Sequence, residues 1–166
     1  MKDNNYREVY LDANFLVDLS VRKQSALKRR ALILLAQFLS HNVILVISPL
    51  VIQEMWIGIR KEKDPQRQFS YANGVIFLDI QKFTKEILEN KIISKHIKII
   101  QLNNIQEGIL KALNYLKEFQ LEPRDAFHLS IMKDNGITTL VSRDEKFFNQ
   151  QSQMGIEVIH PLECEI

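Results

Sequence analysis

Four acidic residues sit where a chain of alternating strands and helices builds a site. They are Asp12 after Val9-Tyr10-Leu11, Glu54 in Ser48-Pro49-Leu50-Val51-Ile52-Gln53-Glu54, Asp125 in Pro123-Arg124-Asp125-Ala126-Phe127-His128, and Asp144 after Leu140-Val141-Ser142-Arg143. In an open parallel sheet, residues just past the carboxyl ends of strands and in the first turns of the next helices converge on one edge. Four carboxylates there repel one another. A divalent cation is the economical means of holding them together, because hard cations take oxygen ligands and magnesium is bound by a few carboxylates, waters and substrate phosphates. Hydrolysis of a phosphodiester needs a deprotonated nucleophile, in-line geometry and neutralised phosphoryl oxygens, and such a cation supplies all three. No His, Cys or Lys nucleophile is required, and His41, His96, His128 and His160 show no metal-ligand spacing.

Each acid also has a plainer reading. Asp12 can cap the turn after its strand, Glu54 can lie on a solvated helix face, Asp125 can favour a helix dipole, and Asp144 can N-cap the helix beginning Glu145-Lys146-Phe147. Their joint placement favours a common role. His128 follows Asp125 by three and faces the same way on a helix; a structural histidine packed under the site outweighs a substrate contact there. Met55 and Trp56 adjoin Glu54 but point elsewhere, into core or an oligomer interface.

The elements that must position these acids follow from pattern. Val9-Tyr10-Leu11 reads as a short buried strand with a turn or short helix after it, and Val43 to Ile47 as a strand covered on both faces. Lys28 to Ser40 has helical spacing with Leu32, Leu35, Ala36 and Leu39 on one stripe. Ser48-Pro49 is a helix start, Ser as N-cap and Pro in the first turn, and the helix places Glu54 about one and a half turns in. Pro65 to about Asn90 reads as two helices broken near Asn73-Gly74. Ile97 to Leu102 is a third strand, Asn104 to Phe119 a helix with Ile105, Ile109, Leu113 and Leu116 inward, and Glu122 or Pro123 opens another that stops at Asn135-Gly136. Thr138 to Val141 and Ile156 to Ile159 are the last strands. The expected fold is α/β: three layers, α/β/α, around a mostly parallel sheet of four to five strands.

At 166 residues, 46% hydrophobic and 25% charged, with no repeat or linker, the expectation is one domain over residues 1–166. Cys164 is the only cysteine, so no disulfide framework is predicted and a reducing cytoplasm fits. The first residues are polar and the apolar runs fall short of spanning length, so neither export nor a membrane is expected. A net charge of +2 is too mild to identify a nucleic-acid binder. Arg22-Lys23, Lys28-Arg29-Arg30, Arg60-Lys61-Lys63 and Arg67 could line a phosphate path, although solvated helix faces explain any one cluster.

On these residues the chain resembles the PIN-domain ribonucleases, most closely the VapC-like toxins of bacterial toxin–antitoxin pairs. Tyr10-Leu11-Asp12-Ala13-Asn14-Phe15-Leu16-Val17-Asp18 is similar to the family's opening strand and aspartate, and Ser48 to Gly58 to its segment with the second acid. Pro123 to Leu129 and Gly136 to Phe147 are similar to its closing block, the most specific part; Asp64 to Gln101 carries no usable motif. The resemblance implies that Asp12, Glu54, Asp125 and Asp144 are catalytic and hold Mg2+ or Mn2+, that Ser142 orients Asp12, and that Asn14 assists. It implies an RNA substrate, a cognate antitoxin and a homodimer. Arg143 departs from the pattern: it could pair with Asp144 and reduce its share in metal binding, with Glu145 the substitute if the register is off by one.

Other acid-pocket domains fit less well. A haloacid-dehalogenase-like phosphatase needs a second aspartate two residues after the first, and Asn14 stands there. A receiver needs an acidic pair ahead of its phospho-acceptor, and none precedes a strand-end aspartate. A catalytically weak PIN fold serving as an RNA-binding or assembly module would have lost two or more acids, and the core three are present.

Overall fold

The computed structural model describes residues 7–20, 26–66 and 74–161. Strand β1 (Glu8–Leu11) is the middle of a five-stranded sheet in the order β3-β2-β1-β4-β5, with β2 (Ile44–Ile47), β3 (Ile97–Ile99), β4 (Thr139–Val141) and β5 (Glu157–Ile159). Every pairing is parallel; Tyr10 is level with Val46 on one side and with Leu140 on the other. Val9, Tyr10 and Leu11 are consecutive and all buried, as are Leu45, Val46 and Ile47. Side chains alternate along a strand, so consecutive burial means helices cover both faces. The expected three-layer α/β arrangement is the one observed, with all five strands parallel.

Among the described residues seven α-helices flank the sheet: α1 (Ala13–Ser20), α2 (Ala26–Ser40), α3 (Pro49–Lys63), α4 (Gly74–Glu89), α5 (Ile105–Glu118), α6 (Pro123–Asp134) and α7 (Glu145–Met154). Helices α1 to α4 pack among themselves and α5 packs on α6. The chain steps from β1 out to β3, then returns across the sheet to β4, and right-handed crossovers place the two groups accordingly. The reversal falls between β1 and β4, and Asp12 and Ser142 follow these two strands directly. That is the switch point at which open α/β sheets bind ligands.

Local signals set the helix ends. Ser48 caps α3 by accepting the Val51 amide at 3.3 Å, with Pro49 in the first turn. Gly155, at φ 59°, ends α7 in the left-handed region that glycine adopts without strain. Gly58 serves another purpose: a Cβ there would stand 2.5 Å from Val17 Cγ2, so its lack of a side chain lets α3 lie against α1.

Several periodicity readings need correction. In α2 the buried stripe is Ala31, Leu34 and Phe38; Leu32 is about half exposed and Ala36 is exposed. In α5, Ile105, Ile109 and Leu113 face outward while Gly108 and Ala112 are buried. Small residues won the interior position because α5 lies close to its neighbours: Ser130 Oγ on α6 donates to Gly108 O at 2.8 Å, and a Cβ on Gly108 would meet the Leu102 side chain. Strand β3 ends at Ile99, short of the expected Leu102. Helix α4 accounts for one of the two helices expected between Pro65 and Asn90, and the other falls on residues 67–73, outside those described. Among the described residues, no helix is long and apolar enough to cross a membrane.

Candidate active site

Asp12, Glu54, Asp125 and Asp144 all line one open cleft of about 590 Å³ at the carboxyl edge of the sheet. Asp12 stands between β1 and α1. Its amide donates to Val141 O at 3.0 Å, extending the β1–β4 ladder by one residue. Ser142 Oγ donates to Asp12 Oδ2 at 2.5 Å and itself accepts the Asp144 amide at 3.0 Å. Asn14 donates to Asp12 twice at 3.3 Å, backbone amide to Oδ1 and side-chain amide to Oδ2. Ser142, expected to orient Asp12, and Asn14, expected to assist, both donate to its carboxylate.

Asp144 combines both of its sequence readings. Its Oδ1 accepts the Lys146 amide at 2.8 Å as the N-cap of α7, and the residue still lines the cleft. Arg143 does not pair with it. The guanidinium turns to Asp18, fully buried on α1, with Nε 2.9 Å from Oδ2. Glu145 is exposed and does not line the cleft, so the register needs no shift.

Asp125 lies in the first turn of α6 and is only partly exposed. Its carboxyl is pushed up to about 6, first by burial and then by the negative charge of Asp144; Asp12 and Glu54 add to the effect and His128 opposes it. Burial disfavours the ionised form and neighbouring anions do so again.

Glu54 projects from α3. Its Oε2 lies 2.9 Å from His128 Nε2, and its Oε1 lies 3.8 Å from Arg124 Nη1. His128 Nδ1 is 2.9 Å from the Tyr10 hydroxyl, which is 2.7 Å from Ser48 Oγ. Ser48, Tyr10, His128 and Glu54 thus form a polar chain running from the cap of α3, through the central strand, to the rim of the cleft. Sequence reasoning found His128 as a residue beneath the site but missed Tyr10 and Ser48. A tyrosine in a strand covered on both faces was the available signal, since its hydroxyl must find a partner inside.

Among the described residues of the basic clusters singled out in the sequence, only Lys61 lines the cleft, where Arg124 joins it. Lys63 is paired with Asp79 at 2.9 Å, and Lys28 donates to Ser20 O at 3.3 Å. Arg22, Lys23 and Arg67 lie outside the described residues.

The donor set suits a hard cation. It is all carboxylate oxygen, and the Asp125 carboxyl is raised first by burial and then by the negative charge of Asp144. Among the described residues no group of three His, Cys, Asp or Glu side chains stands close enough to hold a metal ion by itself; magnesium is ordinarily bound by one or two carboxylates, with waters and substrate phosphates completing its shell.

A parallel α/β sheet with four acids gathered at its switch point defines the class of α/β domain to which the chain belongs, and one family of that class matches directly. The PIN domain family model covers residues 9–151, and the chain belongs to that family, whose members are generally nucleases. No curated protein sequence matches the chain. Two solved structures share the fold: FitAB bound to an IR36 DNA fragment, 15% identical over 95% of this chain and 98% of that one, and VapBC2 from Rickettsia felis bound to a DNA fragment from their promoter, 17% identical over 92% and 97%. Both superpose with a TM-score of 0.59.

Proposed function

We propose that this chain is a divalent-metal-dependent endoribonuclease, residues 1–166 acting as one nuclease domain. The observation that carries the reading is the convergence of Asp12, Glu54, Asp125 and Asp144 on one open cleft. Asp12, Asp125, Asp144 and Glu54 would hold Mg2+, with Mn2+ an alternative. A cation held there supplies an activated water and charge neutralisation on the scissile phosphate. The protein's own groups do the rest. Ser142 and Asn14 fix the Asp12 carboxylate, the α7 cap fixes Asp144, and Lys61 and Arg124 offer positive charge to the backbone of an entering strand. RNA as the substrate class comes from the resemblance to the PIN-domain ribonucleases.

The VapC-like resemblance, with the fold shared with VapBC2, supports a role as the toxin of a toxin–antitoxin pair acting in the cytoplasm. An acidic cleft can be silenced by an inserted arginine, whose planar fork suits carboxylates. The exposed Ile105, Ile109, Leu110 and Leu113 of α5 are a surface suited to a second copy of the chain, in keeping with the homodimer that the resemblance implies.

The test is cleavage of single-stranded RNA by purified protein in magnesium or manganese, compared with excess chelator. Asp125→Asn keeps the size and removes a charge, and it is expected to lower the rate by orders of magnitude with the fold intact. Cleavage by that variant at the wild-type rate in saturating magnesium would sink the assignment, whereas wild type that binds RNA without cutting it would favour an RNA-binding module.

A further inference from the structure

His128 is buried, and each of its ring nitrogens meets a group able to hydrogen-bond it: Nδ1 the Tyr10 hydroxyl and Nε2 the Glu54 carboxylate. The hydrogens in this chain can be placed by counting. An ionised carboxylate only accepts, so Nε2 carries the hydrogen that bridges to Glu54. In the neutral ring Nδ1 is then an acceptor, and the Tyr10 hydroxyl donates to it. The Tyr10 oxygen in turn accepts from Ser48, whose own oxygen takes the Val51 amide at the start of α3. Every hydrogen is used, and all of them point toward Glu54. Reversing the order, with Nδ1 donating to Tyr10 and Tyr10 to Ser48, leaves the Ser48 hydroxyl hydrogen with no acceptor among these groups.

From this geometry we infer that Tyr10 and His128 are positioning residues for Glu54. The Glu54 carboxylate sets the tautomer of His128, Tyr10 holds the orientation of the ring by donating to Nδ1, and the ring so held fixes the direction in which the Glu54 carboxylate presents itself to the cleft. A glutamate has three rotatable side-chain bonds, and one oxygen held at 2.9 Å by a buried ring removes most of that freedom. Oε1 is left on the side of Arg124 and the cleft. The strand residue two positions before Asp12 thus controls a carboxylate on a different helix, so the two acids are set from one point on β1. The part of this inference that concerns Glu54's use rests on the nuclease reading; the tautomer does not.

The first measurement is imidazole nitrogen NMR on the full-length 15N-labelled protein, with His128 assigned by the signals lost in His128→Gln. The expected result is the Nε2-hydrogen tautomer in wild type and in Tyr10→Phe, with the Nδ1 resonance shifted in the variant by loss of the hydroxyl donor; a hydrogen on Nδ1 in wild type overturns the relay. The second is Mn2+ affinity by calorimetry alongside RNA cleavage. His128→Ala and Tyr10→Phe are expected to weaken both by about 10- to 100-fold, the size typical of losing a partner that orients a ligand. His128→Gln, whose amide can donate from nearly the Nε2 position, should restore most of the loss, and Tyr10→Phe should add nothing in a Glu54→Gln background. Unchanged manganese affinity in His128→Ala, or full additivity of Tyr10→Phe with Glu54→Gln, overturns the positioning role. Wild type that neither binds manganese nor cuts RNA overturns the nuclease reading instead, and the tautomer still decides the relay.

Discussion

Arg143 turns away from its neighbour Asp144 and pairs with Asp18, 125 positions earlier, its Nη2 donating to Oδ1 at 3.3 Å. Asp18 is fully buried, while the arginine side chain keeps about a quarter of its exposure. The pair ties α1 to the loop that carries Ser142 and Asp144. Removing the two partners should have unequal costs, because a fully buried carboxylate that loses the Arg143 charge is worse off than a partly exposed guanidinium that loses its anion. Arg143→Ala is expected to cost about 3 kcal/mol, and Asp18→Asn clearly less. Urea unfolding of both variants checks this; equal losses would contradict the asymmetry, and negligible losses in both would show that the pair does not anchor the loop.

The hydrogen bond from Ser142 to Asp12 should be felt mainly in activity. A hydrogen bond to a charged group is worth about 1.5–3 kcal/mol, so Ser142→Ala is expected to reduce RNA cleavage by roughly 10- to 100-fold while the melting temperature moves by only a few degrees. A variant that cleaves at the wild-type rate would remove Ser142 from the site.

Asp125 gives a pH prediction with a definite sign. Its folded-state pKa is raised from 3.8 to about 6, so between those values the folded protein holds a proton that the unfolded chain has released. Stability contributed by this group is therefore greatest at low pH and is lost as pH rises toward 6. Allowing for solvent screening of a partly exposed group, the effect is about 1 kcal/mol. Asp125→Asn should be more stable than wild type at pH 7 and should flatten the stability profile between pH 4 and 6. A steeper profile in the variant would contradict the repulsion.

Metal should stabilise the fold through the same acids. At a free magnesium concentration ten times the dissociation constant, binding to the native state alone adds about 1.4 kcal/mol, a rise of a few degrees in a domain of this size. Asp12→Asn should match or exceed wild-type stability in chelator and respond less to magnesium. Equal magnesium shifts in the two proteins would count against a cation at Asp12.

Gly58 should tolerate no side chain. Because Val17 is stiff at its branched carbon and buried, it cannot swing clear of a new methyl, and Gly58→Ala should cost about 1–3 kcal/mol by forcing α3 from α1. Since α1 carries Asn14 and α3 carries Glu54, cleavage should fall with stability. A neutral or stabilised variant would mean that the helices have slack.

The sheet, its parallel order and the placement of all four acids could be read from the sequence, because β-branched runs, the Ser48-Pro49 cap and the Asn135-Gly136 stop are local signals. The outward face of α5 could not. Ile105, Ile109 and Leu113 have the spacing of a buried stripe, and only tertiary packing shows that Gly108 and Ala112 take the interior. The partners of the acids were legible where sequence neighbours supplied them, as with Asn14. They were hidden where two distant segments meet: Asp18 with Arg143, and Tyr10 with His128.

Because β4 lies beside β1, the bond between Ser142 and Asp12 spans 130 positions and that between Tyr10 and His128 spans 118. A chain leaving the ribosome displays Asp12 and Tyr10 more than a hundred residues before their partners Ser142 and His128 are made. Closing such long loops is also slow relative to local helix formation. Throughout that interval the emerging polypeptide lies beside ribosomal RNA without an assembled cleft, and chains arrested before Gly136 are expected to be inert toward RNA although three of the four acids are already present.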